Sequence, residues 1–212
     1  MNIEKQNVLI AGANGTTGRL IVDLLKNSDA YRPIAMLRKE SQKEHFEKQD
    51  VATVIADLEG DLSHAVKDTH QVIFAAGSGG KKVVAVDQEG AKSLTDAAKK
   101  AGVKKFVMLS SMGADNPEAA SDLQDYLKAK QNADNYLKDS GLDYSIVRPG
   151  ALTDEDGTGK IMLQQKLNTD GNIPRADVAK TLVAVLANDI RNNETFEILS
   201  GDVPVLKSVT GI

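Results

Sequence analysis

The feature that most constrains this chain is a repeated alternation of short apolar runs with longer segments of helical period. The runs are "NVLIAG" (7–12), "RPIAMLR", "VATVIAD", "QVIFAAG", "KKFVMLSS", "DYSIVRPG" and "TFEILSG". Between them, Leu20, Ile21, Leu24 and Leu25 repeat at helical spacing, and "DQEGAKSLTDAAKKAG" and "IPRADVAKTLVAVLAND" read as further helices. The 42–49 stretch carries the weakest helical pattern. A helix is expected from Ser121, where Ser121 and Gln124 have the spacing of a capping box, to a left-handed stop at Gly141. Pro174 suits the first turn of the last long helix. Apolar strands separated by helices predict parallel strands with right-handed crossovers and both sheet faces covered. The expected fold is α/β: a doubly wound, mostly parallel sheet of Rossmann type. It is read as one domain over 1–212, with a small C-terminal cap in which 151–173 and 200–212 lie on the substrate side.

Composition narrows the function. The 212 residues carry a net charge of −4 with basic residues spread along the chain, which argues against a nucleic-acid partner. The absence of Cys excludes disulfides, zinc–thiolate sites and cysteine nucleophiles. No apolar run approaches a membrane span, and the start "MNIEKQNVLIAG" does not read as a signal peptide, so a cytoplasmic protein with no membrane partner is expected. His45, His64 and His70 lack ligand spacing, so no metal site is predicted. No G-x-S-x-G elbow supports a hydrolase triad. The acidic loop "TDEDGTGK" is expected to be a mobile, solvated segment over the substrate pocket.

The first strand runs into "AGANGTTGRL", in which Gly12, Gly15 and Gly18 form G-x-x-G-x-x-G between a strand and a helix. Residues without a Cβ let the backbone close on a diphosphate. The helix start, with Asn14, Thr16 and Thr17 between the glycines, supplies N–H groups and a partial positive charge for that anion. About 20 residues on, where an acid would grip the ribose of NAD, stand Arg38 and Lys39. Two cations suit a 2′-phosphate, so NADP, as NADPH, is the expected cofactor.

This glycine spacing resembles that of the extended and atypical short-chain dehydrogenase/reductases, including NmrA-like NAD(P)H-binding proteins and flavin-reductase-like enzymes. The resemblance implies that Asp57 and Leu58, after the third strand, contact the adenine. It implies that Ala75, Ala76 and Gly77, after the fourth, lie against the nicotinamide half of the cofactor. "DYSIVRPGAL" resembles the family segment in which Pro149 and Gly150 border the nicotinamide, with Arg148 read as structural, and "IPRADVA" resembles the family's later helix start, with Arg175 and Asp177 read as structural rather than catalytic.

Tyr126 and Lys130 lie one helical turn apart, and Lys130 sits within an apolar stripe formed with Leu123, Leu127, Ala133 and Leu137. A Lys is rarely buried without a partner or a purpose. Asp134, one turn on, is the expected partner on the structural reading. On the catalytic reading, the ammonium favours the phenolate, and the pair resembles the Tyr-x-x-x-Lys of short-chain dehydrogenases. That resemblance gives Tyr126 as proton donor, Lys130 as its electrostatic support and a ribose contact, and Ser111 or Ser110 as the group orienting the acceptor, with Ser111 preferred on position. The expectation is an NADPH-dependent reductase acting on a small carbonyl, quinone or flavin-like acceptor. The alternatives are a non-catalytic NADP(H) sensor of NmrA type and an epimerase-like enzyme using NAD on a sugar nucleotide. Substrate and oligomeric state are not readable from the sequence.

Overall fold

Two buried faces of one sheet organise the molecule. The computed structural model describes residues 4–211. In chain order the elements are β1 (Gln6–Ala11), α1 (Thr16–Lys26), β2 (Tyr31–Leu37), α2 (Lys43–Glu47), β3 (Ala52–Ile55), β4 (Gln71–Phe74), a π-helical segment (Val83–Gly90) continuing into α3 (Ala91–Lys100), β5 (Lys105–Leu109), α4 (Gln124–Asp139) and β6 (Asp143–Pro149). They are followed by β7 (Ala151–Thr153), β8 (Lys160–Gln164), β9 (Asn172–Pro174), α5 (Arg175–Ala184), β10 (Glu194–Ser200), β11 (Val203–Pro204) and α6 (Val205–Thr210). The main sheet has the order β11-β8-β10-β6-β5-β4-β1-β2-β3. From β3 to β10 every pairing is parallel, whereas β8 and β11 are antiparallel additions at one edge. This is one α/β domain of the doubly wound type, in which the strand order reverses between β1 and β4.

Alternate residues of each strand serve opposite cores. Val8 and Ile10 of β1 pack with Ile21, Val22 and Leu25 of α1 and with Val178 and Leu182 of α5. Leu9 and Ala11 face the other way, into a cluster with Leu94 and Ala98 of α3 and Ala133 and Leu137 of α4. Neither face can go to water, which is why the strands read as continuous apolar runs.

Some elements depart from the sequence expectation. The helix expected from Ser121 begins at Gln124, with Leu123 as its uncapped N-cap. The Ser121 hydroxyl instead donates to the carboxylate of Asp122, so no capping box forms. Its stop is as expected: Gly141 adopts φ +81°. The segment after Gly150 does more than cap the fold. Its β8 and β11 extend the main sheet, and β7 pairs with β9 in a separate parallel ribbon. The acidic loop is tied down at its end, because the fully buried Asp177 accepts from the amides of Thr158 (2.8 Å) and Gly159 (2.7 Å).

At the opposite end of the sheet, Lys105 is buried at the start of β5 and donates to the carbonyls of Ala187 (3.0 Å) and Ile190 (2.6 Å). Gln71 beside it donates to Leu186 O, so two strand starts hold the chain that follows α5. Burial pulls the Lys105 ammonium down to about 8, against the attraction of Asp143, Asp189 and Glu194. Between about 8 and the ordinary lysine value the unfolded chain binds more protons than the folded one, so stability rises with pH across that window. Below it both states are charged and the cost is constant. Wild type is therefore expected to gain stability relative to Lys105→Met between about pH 7 and about pH 9.5, read as urea midpoints. A difference that is flat with pH would contradict the depressed lysine.

Candidate functional site

The reversal of strand order opens a cleft of about 870 Å³ at the carboxyl ends of the parallel strands. Its floor is the glycine turn. Gly12 has φ +87°, and a Cβ there would stand 2.6 Å from the backbone of Ala76 at the end of β4. A Cβ on Gly18 would overlap the Gly12 carbonyl. The two glycines thus let the β1 and β4 ends and the start of α1 meet. Gly15 is the N-cap of α1, with no side-chain cap and no acid in the first turn. The first-turn amides of Thr16, Thr17 and Gly18 have no intrahelical acceptor, which leaves a partial positive charge for an anion. Arg19 braces the loop by donating to Asn14 Oδ1 at 2.7 Å.

Most of the sequence-selected residues converge here. Gly12, Asn14, Gly15, Thr16, Thr17, Arg38, Asp57, Leu58, Ala75, Ala76, Gly77, Ser110, Tyr126 and Lys130 all line the cleft. Lys39, Gly18, Ser111, Pro149 and Gly150 do not. Gly18 serves the turn from behind. Gly150 is small for a packing reason, since a Cβ there would strike Leu199 and lie 2.5 Å from Gly171 O. The Ser111 hydroxyl donates to Met112 O, whereas Ser110 is buried on the wall. The amides of Arg38 and Lys39 both donate to Gln42 Oε1, which fixes the turn that carries Arg38 to the mouth. Asp57 Oδ1 accepts from Glu59 N, as a residue beginning a turn would.

The buried charges sort into two groups. The Lys130 side chain is 4% exposed, and its Nζ lies 3.6 Å from Asp87 Oδ1 and donates to Leu109 O at 3.2 Å. It also sits over the Tyr126 ring, 5.7 Å from the centroid. Asp87, 2% exposed on the π-helical segment, accepts from Ser78 N with its other oxygen. Asp134 is therefore not the partner of Lys130. Its Oδ2 is taken by Arg148 (Nε 3.0 Å, Nη2 2.8 Å) and by the hydroxyl of Ser110 (2.8 Å). Burial pushes the Asp134 carboxyl upward, with Arg148, Ser110 and Lys130 opposing. Arg148 is thus a structural counter-ion that also fixes Ser110.

Asp87 is the cleft residue that sequence reasoning missed. Its only signal was a carboxylate within the otherwise apolar "VVAVDQ", and π-helical turns occur often at functional sites. Among the described residues no group of three or more His, Asp or Glu could hold a metal ion, and no helix is long and apolar enough to cross a membrane. Removing one partner of a buried pair strands the other charge. Asp87→Ala is therefore expected to cost about 3–5 kcal/mol in urea unfolding. A cost below about 1 kcal/mol, that of an exposed pair, would show that Lys130 does not depend on it.

The comparisons with known proteins agree with this geometry. A family model described as NAD(P)H-binding matches residues 12–189. The chain is 39% identical over 210 residues to the Bacillus subtilis (strain 168) protein called "Uncharacterized sugar epimerase YhfK", covering 95% of this chain and 98% of that one. A Bacillus halodurans structure, assigned as an NAD-dependent epimerase/dehydratase, superposes with a TM-score of 0.93 at 39% identity, covering 98% of this chain and 100% of that one. The oxidoreductase ylbE from Lactococcus lactis superposes with a TM-score of 0.89 at 30% identity, covering 98% and 96%.

Proposed function

Since the chain belongs to the NAD(P)H-binding family of Rossmann-fold proteins related to reductases and epimerases, we propose that it is an NADPH-dependent reductase of a small carbonyl, quinone or flavin-like acceptor. The observation that carries this reading is a single cleft in which the glycine cradle, Arg38 and the Tyr126–Lys130 pair all lie. The residues fit a dinucleotide phosphate. The cradle leaves room that a Cβ would fill, uncapped amides meet the diphosphate, and Arg38 at the mouth suits a 2′-phosphate. Asp57 and Leu58 would flank the adenine, and Ala75, Ala76 and Gly77 would let the nicotinamide half lie close to the backbone.

When bound, NADPH supplies the hydride. Tyr126 donates its hydroxyl proton to the acceptor oxygen. Lys130, held by Asp87 and the Leu109 carbonyl, keeps a positive charge against the ring and stabilises the phenolate left behind. Ser110, braced by Asp134 and Arg148, is the serine that orients the acceptor once its hydroxyl turns from Asp134, in place of the Ser111 preferred on sequence position. Leu152 and Arg175 line the cleft, which supports a substrate-side role for part of the C-terminal region.

A second reading, an epimerase-like enzyme, is favoured by the names carried by the two relatives at 39% identity. It requires NAD rather than NADP and a nucleotide-sugar site. Arg38 speaks for the phosphorylated cofactor.

Consumption of NADPH by purified protein with a panel of aldehydes, quinones and flavins tests the main reading. Tyr126→Phe is expected to lower kcat by about 10²–10⁴-fold with NADPH affinity retained. Undiminished turnover in that variant would remove Tyr126 from the mechanism. Binding without any turnover would point to the sensor, and turnover of a sugar nucleotide with NAD to the epimerase. Separately, Arg38→Ala is expected to weaken NADPH by about ten- to a hundredfold and leave NADH unchanged, as measured by calorimetry. Equal loss for both cofactors would contradict 2′-phosphate recognition by Arg38.

A further inference from the structure

Arg175 is the cation of the cleft that the mechanism leaves unused. It is the first residue of α5 and lines the same cleft as Leu152 of β7, the strand paired with β9, which immediately precedes α5. Its side chain is 27% exposed, yet Nη1 is buried without any hydrogen-bond partner among the described residues. Its ion-pair partner among the described residues is Asp154, 3.4 Å from Nε and 77% exposed. A pair that open to water is worth little. A buried guanidinium N–H left unpaired is costly, so the arrangement favours an acceptor brought by a ligand. The other cations of the cleft are otherwise engaged: Lys130 is matched by Asp87, and Arg38 stands at the adenosine end.

Building on the reductase reading above, we infer that Arg175 binds an anionic group of the acceptor, and that the acceptor is a carbonyl or quinone compound carrying a carboxylate. The carboxylate follows from the neighbourhood. The cleft is walled by Leu109, whose carbonyl holds Lys130, by Leu123, one turn before Tyr126, and by Leu152, which suit an apolar body. One planar guanidinium held only by an exposed carboxylate matches one planar monoanion, whereas a dianionic phosphate would leave a charge uncompensated in the same apolar surroundings. Asp154 acts as a weak placeholder that the ligand displaces from the guanidinium.

The test uses protein loaded with NADP⁺ and non-reducible probes, so that it does not depend on turnover. Benzoate and benzamide share a ring and differ in charge. By titration calorimetry benzoate is expected to bind more tightly than benzamide by about ten- to a hundredfold, and Arg175→Gln to abolish the difference with affinity for NADPH unchanged. Asp154→Asn, at an exposed position, is expected to tighten benzoate by about two- to fivefold because the competing carboxylate is gone. That gain of binding cannot be produced by a folding defect. Equal affinity for the two probes, or a benzoate preference that survives Arg175→Gln, would overturn the proposal while leaving the cofactor reading intact. Failure of the wild type to bind either nicotinamide cofactor would overturn the cofactor reading, and this inference with it.

Discussion

Everything in this molecule depends on how closely three pieces of backbone approach at the end of β1. Gly12 must pass within contact of Ala76, and Gly18 must sit on the Gly12 carbonyl. Only then does α1 start where its uncapped amides face the open cleft. A side chain at either position would push the helix start away from the strand ends, and the anion site would be lost with it. The β1–β4 junction is also where the strand order reverses. One local steric condition therefore sets both the topology of the crevice and its electrostatics.

Around that cradle the structure spends buried charge sparingly, each charge facing an opposite one. Lys130 with Asp87, and Asp134 with Arg148 and Ser110, are two such groups on neighbouring turns of α4. Neither is a strong contributor to net stability, because desolvation offsets much of the attraction. Their effect is geometric. The first holds an ammonium against the face of Tyr126, and the second holds a serine on the cleft wall. Arg175 differs in being paired only with an exposed carboxylate, and its Nη1, like Asp134 Oδ1, has no hydrogen-bond partner among the described residues.

The amino-acid sequence determined the architecture and the glycine turn at the floor of the cleft. Strands buried on both faces must be apolar throughout, and a diphosphate turn must be glycine-rich; both constraints act over a few consecutive residues, so both are legible in a linear string. The same holds for Tyr126 and Lys130, which one helical turn places together. What only the tertiary structure decided is which distant residues meet. The sequence suggests Asp134 as the neighbour of Lys130 because four positions make one turn. In the fold, Arg148 from β6 reaches Asp134 first, and Asp87 arrives from the π-helical segment. The choice of Ser110 over Ser111 for the cleft wall, the packing origin of Gly150 and the unpaired nitrogen of Arg175 arise in the same way. Each depends on contacts between segments far apart in the chain, and a buried charge takes whichever partner the packing of the sheet and helices delivers, whatever lies next to it in sequence.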